Sequence, residues 1–481
     1  MISSLPPVAK AAERVRSGEV DPRELVDYCL GQIDRFEDRI QAWVLVDRDG
    51  ARRQARELAS RISCGKAVGS LAGIPIGIKD IIDVRGFPTK AGSSLRANHV
   101  AIGDAPLVAR LRNADAIILG KTVTTEYACF DPPPTRNPWN HEHTPGGSSS
   151  GSAAATALQM CSAAIGTQTG GSIVRPASYC GVAGLKPTHD AIPLEGVVPV
   201  SARLDHAGPI ARCAEDLAWL FLAVAEPLAV TRSLAEPSDL SRFREGARRG
   251  SPTPPKRPTV RSPGITQGDF GRHASTAGAS RRPAADTAAK TWRQLQSDLP
   301  EPHPMTILES DFLDQASPDV QAVTRAALDR LDRAACARAI LPDSYQQVQT
   351  NHRLVMARDV AAYHRNAYET RPGAFGPSLA GLIREGLAVS EEAYRSAVLH
   401  QQAFRRDVMQ LFADGSVAVL PATPTAAPAH RDTTGDPRFN SPWSYAGLPA
   451  VTIPCGLTSQ GLPCGLQLIG PPHSELRLLA A

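Results

Sequence analysis

Two glycine–serine loops, GGSSSGS at 146–152 and GTQTGGS at 166–172, begin 20 residues apart in the 481-residue chain, with an alanine-rich run between them. Glycine lets a backbone turn tightly and come close to a ligand, and serine supplies a hydroxyl, so the pair has the makings of a site. Three readings compete for it. A phosphate cradle needs a lysine after its glycines, and neither that motif nor a GxGxxG dinucleotide fingerprint occurs in residues 144–172. Glycine turns packing a small-residue helix would be a purely structural reading. The third takes TGGS (169–172) as backbone N–H groups gathered beside one hydroxyl, the layout of an oxyanion hole next to a nucleophile.

A serine nucleophile needs a base. GSSSG (147–151) matches the GxSxG elbow in form, with Ser149 in the nucleophile slot, but the preceding HEHTPG cannot make the strand that such an elbow must follow. His189 and His206 lie in no triad-like context. Lysine is the remaining candidate, and Lys79, set in the apolar segment GIPIGIKDII, is the best placed. Burial disfavours the ammonium, and a lysine neutral near pH 7 can act as a general base. Metal chemistry has less footing. His141 and His143 form a lone HxH in a proline-rich loop, and the nine scattered cysteines contain no CxxC pair, so neither a metal site nor a disulfide framework is expected.

These candidates need a scaffold. Asp21, Pro22 and Glu24 make an N-terminal capping signal, followed by apolar residues at helical spacing from Leu25 to Phe36. A second helix is expected near 50–62, buried strand material over 70–84, a helix followed by the strand AIILG over 104–122, a strand over PLEGVVPVS (193–201) and a helix over 214–225. Helices are expected over 318–334, 343–370 and 389–413, and strands again over 416–425, 448–456 and 465–472. This alternation predicts one large α/β domain over 1–481, a mixed central sheet with helices on both faces and a catalytic core over 70–212.

No apolar run reaches the roughly 20 residues that span a bilayer, and no signal peptide opens the chain, so a cytoplasmic location is the default expectation. The net charge of +4 hides an asymmetry, because residues 241–283 hold ten Lys or Arg against Glu245 and Asp269. The remainder of the chain is mildly acidic. Residues 230–300 are rich in Pro, Gly and Arg and poor in Leu, Ile and Val, which predicts a disordered or degenerate insert. A genuine insert and a frame-shifted stretch both fit that composition. Only Phe243 and Phe270 interleave with the cations, which argues against a nucleic-acid-binding arm.

The run GGSSSGSAAA…GTQTGGSIVRPASYCGVAGLKPT is similar to the signature of the amidase signature family. GIPIGIKD (73–80), GKTVTTEYA (120–128), NPWN (137–140), LDHAGPIAR (204–212), GLPAVTIPCG and GLPCGLQLIGP resemble further segments of that family, and together the likeness covers about residues 10–225 and 305–481. The resemblance implies a Ser–cis-Ser–Lys triad: Lys79 as base, Ser148 as a bridging serine after a cis peptide bond, and Ser172 as nucleophile. It also implies an oxyanion hole from the backbone N–H groups of Thr169, Gly170 and Gly171. The implied reaction is hydrolysis of a linear carboxamide C–N bond through a serine acyl-enzyme, on a small-molecule amide, with no cofactor or metal. Two alternatives stand beside it: a glutamyl-tRNA amidotransferase A-type subunit working in a complex, and a degenerate non-catalytic member. No membrane or nucleic-acid partner is expected, and a homodimer is compatible with the reading.

Three positions depart from the family pattern. Ser150 stands where many members have glycine, Gln168 where many have aspartate, and Arg175 lies three residues past Ser172 where many relatives place an arginine two past it. Arg175 is open to two readings, a clamp for a substrate carboxylate or a structural partner of a buried Asp or Glu.

Overall fold

The computed structural model describes residues 2, 4–234, 304–331, 336–430 and 432–480. Eleven strands among them form one mixed sheet: β1 (Trp43–Val46), β2 (Pro75–Lys79), β3 (Ile117–Thr122), β4 (Ala163–Gln168), β5 (Ala183–Lys186), β6 (His206–Ala211), β7 (Met305–Ile307), β8 (Cys336–Arg338), β9 (Val417–Pro421), β10 (Ala450–Leu457) and β11 (Pro463–Ile469). The order across the sheet is β1-β3-β2-β4-β6-β5-β10-β11-β9-β7-β8. β2 runs parallel to both β3 and β4, whereas β4 and β6, β6 and β5, and β5 and β10 pair antiparallel. The single α/β domain with a mixed sheet is as the sequence predicts.

The central strands are apolar on both faces, as strands covered on both sides must be. Every residue of β2, β3, β4 and β6 is buried. The helix Pro22–Ile40 begins as its sequence signals: the Asp21 side chain accepts from the Arg23 amide and Pro22 occupies the first turn. Leu25, Val26, Cys29, Leu30 and Ile33 form its buried face.

Other boundaries differ. PLEGVVPVS (193–201) is not a strand. It makes one isolated bridge, Val197 to Ile82, because its prolines and Gly196, at φ +74°, interrupt the ladder. The helix expected over 318–334 spans Pro318–Leu328, and Pro377–Ala388 is a helix that the sequence pattern did not predict. Of the expected insert at 230–300, residues 230–234 finish a helix, Pro227–Leu234, and the remainder lies outside the described residues. Among the described residues no helix is long and apolar enough to cross a membrane.

Parallel pairing fixes where chemistry can happen. β2 and β4 point the same way, with Ile78 opposite Ile165, so the carboxyl end of β2 at Lys79 lies beside the carboxyl end of β4 at Thr167 and Gln168. Crevices at the carboxyl ends of parallel strands are the usual ligand sites of α/β sheets.

Candidate active site

Lys79 is the last residue of β2 and its side chain is wholly buried. Its Nζ donates to Ser148 Oγ at 2.7 Å and to Thr167 Oγ1 at 2.8 Å. Burial pulls its pKa from 10.5 down to about 7, against the opposing pull of the Asp205 and Cys129 groups. Such an amine exists at neutral pH as a mixture of its two protonation states.

Ser148 follows a cis Gly147–Ser148 peptide bond. The turn that delivers it depends on Gly146, at φ +79°, where a Cβ would stand 2.8 Å from the Pro176 backbone. The loop then enters the helix Ser150–Ala157, and Ser150, in place of the family glycine, donates from Oγ to the Gly146 carbonyl at 2.7 Å. Ser149 turns the other way: it is fully buried and donates to the Thr167 carbonyl. That geometry removes it from the nucleophile slot of the formal GxSxG match.

The chain leaves β4 through Thr169, Gly170 and Gly171 to Ser172. The amides of Gly170, Gly171 and Ser172 donate to no group among the described residues, and neither does the Ser172 hydroxyl. A Cβ on Gly171 would lie 2.6 Å from Asn440 Oδ1 and 3.1 Å from Arg175 Nη1, so this turn has room only for glycine. Ser148, Thr169, Gly170, Gly171, Ser172 and Arg175 line one cavity of about 280 Å³, with Lys79 behind Ser148. The sequence-predicted residues therefore converge.

Arg175 resolves differently from its structural alternative. It is 4% exposed, and Nη2 donates to the Gly147 carbonyl at 2.7 Å and to Thr434 Oγ1 at 3.2 Å. Its Nε and Nη1 are buried without hydrogen-bond partners, and among the described residues no carboxylate pairs with it. Its pKa is lowered by burial. Gln168, at the family aspartate position, accepts from the Ile173 and Val174 amides at 2.8 and 3.0 Å and donates to Ser444 Oγ.

Sequence reasoning missed several neighbours. Asp205 is buried, its pKa pushed up to about 6 by burial, and it accepts from Thr169 Oγ1 at 2.6 Å and from the Val200 and Ser201 amides. Its position inside LDHAGPIAR was the available signal, as was that of Thr167 inside the second loop. His352 and Ser444 carry no such mark. His143 Nδ1 bonds the Ala427 carbonyl, and among the described residues no three His, Cys, Asp or Glu side chains are grouped to hold an ion.

The family model described as Amidase matches residues 24–250 and 274–479. The chain belongs to the amidase family. Membership places it among enzymes that act on carbon–nitrogen bonds. It is 33% identical, over 98% of its length and 93% of the relative's, to the A-type subunit of the glutamyl-tRNA(Gln) amidotransferase of Roseiflexus castenholzii. It is 31% identical, over 97% and 93%, to the corresponding subunit from Halothermothrix orenii. Among amidase-family structures, the native peptide amidase of Stenotrophomonas maltophilia superposes with a TM-score of 0.75 at 26% identity, over 98% of this chain and 94% of that one. A structure from a vestigial protein complex tied to the origins of an s-triazine catabolic enzyme gives a TM-score of 0.80 at 26% identity, over 99% and 97%.

Proposed function

We propose that the protein hydrolyses a small carboxamide through a Ser172 acyl-enzyme, using Lys79, Ser148 and Ser172 as a proton relay. The observation that carries this is the buried Lys79 amine, 2.7 Å from Ser148 Oγ and with a pKa of about 7. Neutral Lys79 takes the Ser148 proton, Ser148 takes that of Ser172, and Ser172 Oγ attacks the amide carbon. The developing oxyanion accepts from the amides of Thr169, Gly170 and Gly171. The relay returns the proton to the leaving nitrogen, and water then splits the ester. Every proton in this sequence moves between groups of the chain, substrate and water.

Arg175 narrows the substrate. A guanidinium in the cavity wall with no carboxylate in salt-bridge contact among the described residues favours an anion in that cavity, and its planar fork suits a carboxylate. The substrate class is therefore an amide carrying a carboxylate on the acyl side. The test compares succinamate with butyramide, which differ in that group. Succinamate is expected to be the better substrate, and Arg175→Met is expected to lower the succinamate-to-butyramide ratio of kcat/KM on the order of 30-fold. A ratio untouched by the substitution assigns Arg175 to holding the Gly147 carbonyl alone.

A second reading follows from the named relatives: a glutaminase component that passes ammonia to an acceptor in a complex. Glutamine also carries a carboxylate. Glutamine turnover that appears only with a co-purifying second protein favours this reading, and free turnover of simple amides favours the first.

A further inference from the structure

We infer that His352, which lines the same cavity, is a positioning residue that aims the Gly170 amide into the oxyanion site by holding the Thr169 carbonyl. The inference rests on the serine-amidase reading above. His352 lies on the helix Val348–Thr370, in the half of the chain remote in sequence from the loops, and its Nε2 is 3.0 Å from the Thr169 carbonyl oxygen. A carbonyl only accepts, so Nε2 carries the proton, and burial favours the neutral ring.

The geometry of the peptide bond converts this contact into control of the site. In a trans peptide the C=O and the following N–H point in opposite directions across a rigid plane. A donor that fixes the Thr169 C=O toward the helix thus fixes the Gly170 N–H away from it. Gly170 cannot hold that direction itself, because glycine has no side chain to restrict its backbone. The ring also closes against the turn, since a Cβ on Gly170 would stand 3.5 Å from His352 Cε1.

The next peptide is held in the same manner. Ser444 Oγ donates to the Gly170 carbonyl at 2.8 Å, which orients the Gly171 N–H, and Ser444 is itself fixed by Gln168 Nε2 at 3.1 Å. Two successive amides of the turn are thus backed by side chains from Val348–Thr370 and from the short helix Ser441–Tyr445. Fixed dipoles are effective at an oxyanion because they need no reorganisation as charge develops.

The experiment uses His352→Leu and His352→Gln in the full chain, on whichever of butyramide, succinamate and glutamine the wild type hydrolyses fastest. His352→Leu is expected to lower kcat roughly 10- to 100-fold, part of the 10²–10³ that loss of a whole donor costs, with KM changed less than about threefold. The affinity for the aldehyde analogue of that substrate, which forms a tetrahedral adduct, falls by the same factor as kcat/KM. His352→Gln restores an amide N–H near the Nε2 position and is expected to recover kcat to within about fivefold. An unchanged kcat in His352→Leu overturns the inference, as does a loss that follows thermal stability and that glutamine does not rescue. A wild type that neither turns over any of these amides nor reacts at Ser172 with a sulfonyl fluoride overturns the serine-amidase reading, and this inference with it.

Discussion

Ser172→Ala is expected to lower amide turnover at least about 10⁴-fold while leaving the fold intact. The expectation follows from what surrounds the hydroxyl. Ser172 Oγ lines the cavity and bonds to no group among the described residues, so deleting it breaks no packing network. Without it no covalent ester forms, and the three amides and Lys79 can at most assist a water. The check is paired: kcat/KM on the preferred amide, and mass-spectrometric labelling by a sulfonyl fluoride. Wild type should gain one adduct on Ser172 and the variant none. Ser148→Ala should lie between them, losing about 10²–10⁴ because it removes the proton path and not the nucleophile. If Ser172→Ala keeps even a tenth of the wild-type rate, the acyl-enzyme is not formed there, and the degenerate-member reading gains ground.

The same residues show what the sequence could disclose. Lys79 is legible because a cation amid Ile76, Ile78, Ile81 and Ile82 is anomalous by itself, whatever the fold. TGGS is legible for a similar local reason: consecutive glycines expose amides. Ser148 and Ser149 are chemically alike within one loop, and only the turn at Gly146 and the helix from Ser150 decide which faces Lys79. The resemblance to amidases chose Ser148, and composition could not. His352 and Ser444 were invisible because their role is to touch two carbonyls some 180 and 270 residues away in sequence, a relation that no local pattern encodes. The misread strand at 193–201 failed in the opposite sense. It is rich in valine, yet the turns at its prolines and Gly196 leave only a single bridge.

Arg175 and Asp205 make a related contrast in buried charge. Asp205 is served by Thr169, Val200 and Ser201, so its carboxylate has hydrogen bonds to offset burial. Arg175 has two partners, the Gly147 carbonyl and Thr434 Oγ1, and its Nε and Nη1 are buried without any. An unsatisfied buried group costs stability, a cost that the proposed binding of an anionic substrate beside Arg175 would offset.

Lys79→Met is expected to abolish most activity and to stabilise the protein, by an amount that shrinks as pH rises. In the folded chain burial lowers the Lys79 pKa from 10.5 to about 7. Below about pH 7 the amine is charged in both folded and unfolded chains, and the folded chain bears the whole cost of the buried charge. That cost is on the order of 5 kcal/mol, at 1.36 kcal/mol for each pH unit between the two pKa values. From about pH 7 to 10.5 the unfolded chain binds the proton and the folded chain does not, so stability rises with pH until the cost is gone. Methionine fills nearly the same volume without the charge. It forfeits the hydrogen bonds to Ser148 and Thr167, which offsets part of the gain. Urea unfolding should therefore show Lys79→Met more stable than wild type at pH 6.5, with the difference smaller by about 2–3 kcal/mol at pH 9. The wild-type rate carries the same titration with the opposite benefit: kcat/KM should rise about tenfold per pH unit below 7 and level off above it. A stability difference equal at both pH values, or a rate independent of pH between 5.5 and 7.5, would show that the buried amine does not change its charge there and so cannot be the base. Coincidence of the two midpoints would tie the charge that weakens the fold to the one that must be lost for Ser148 to be activated.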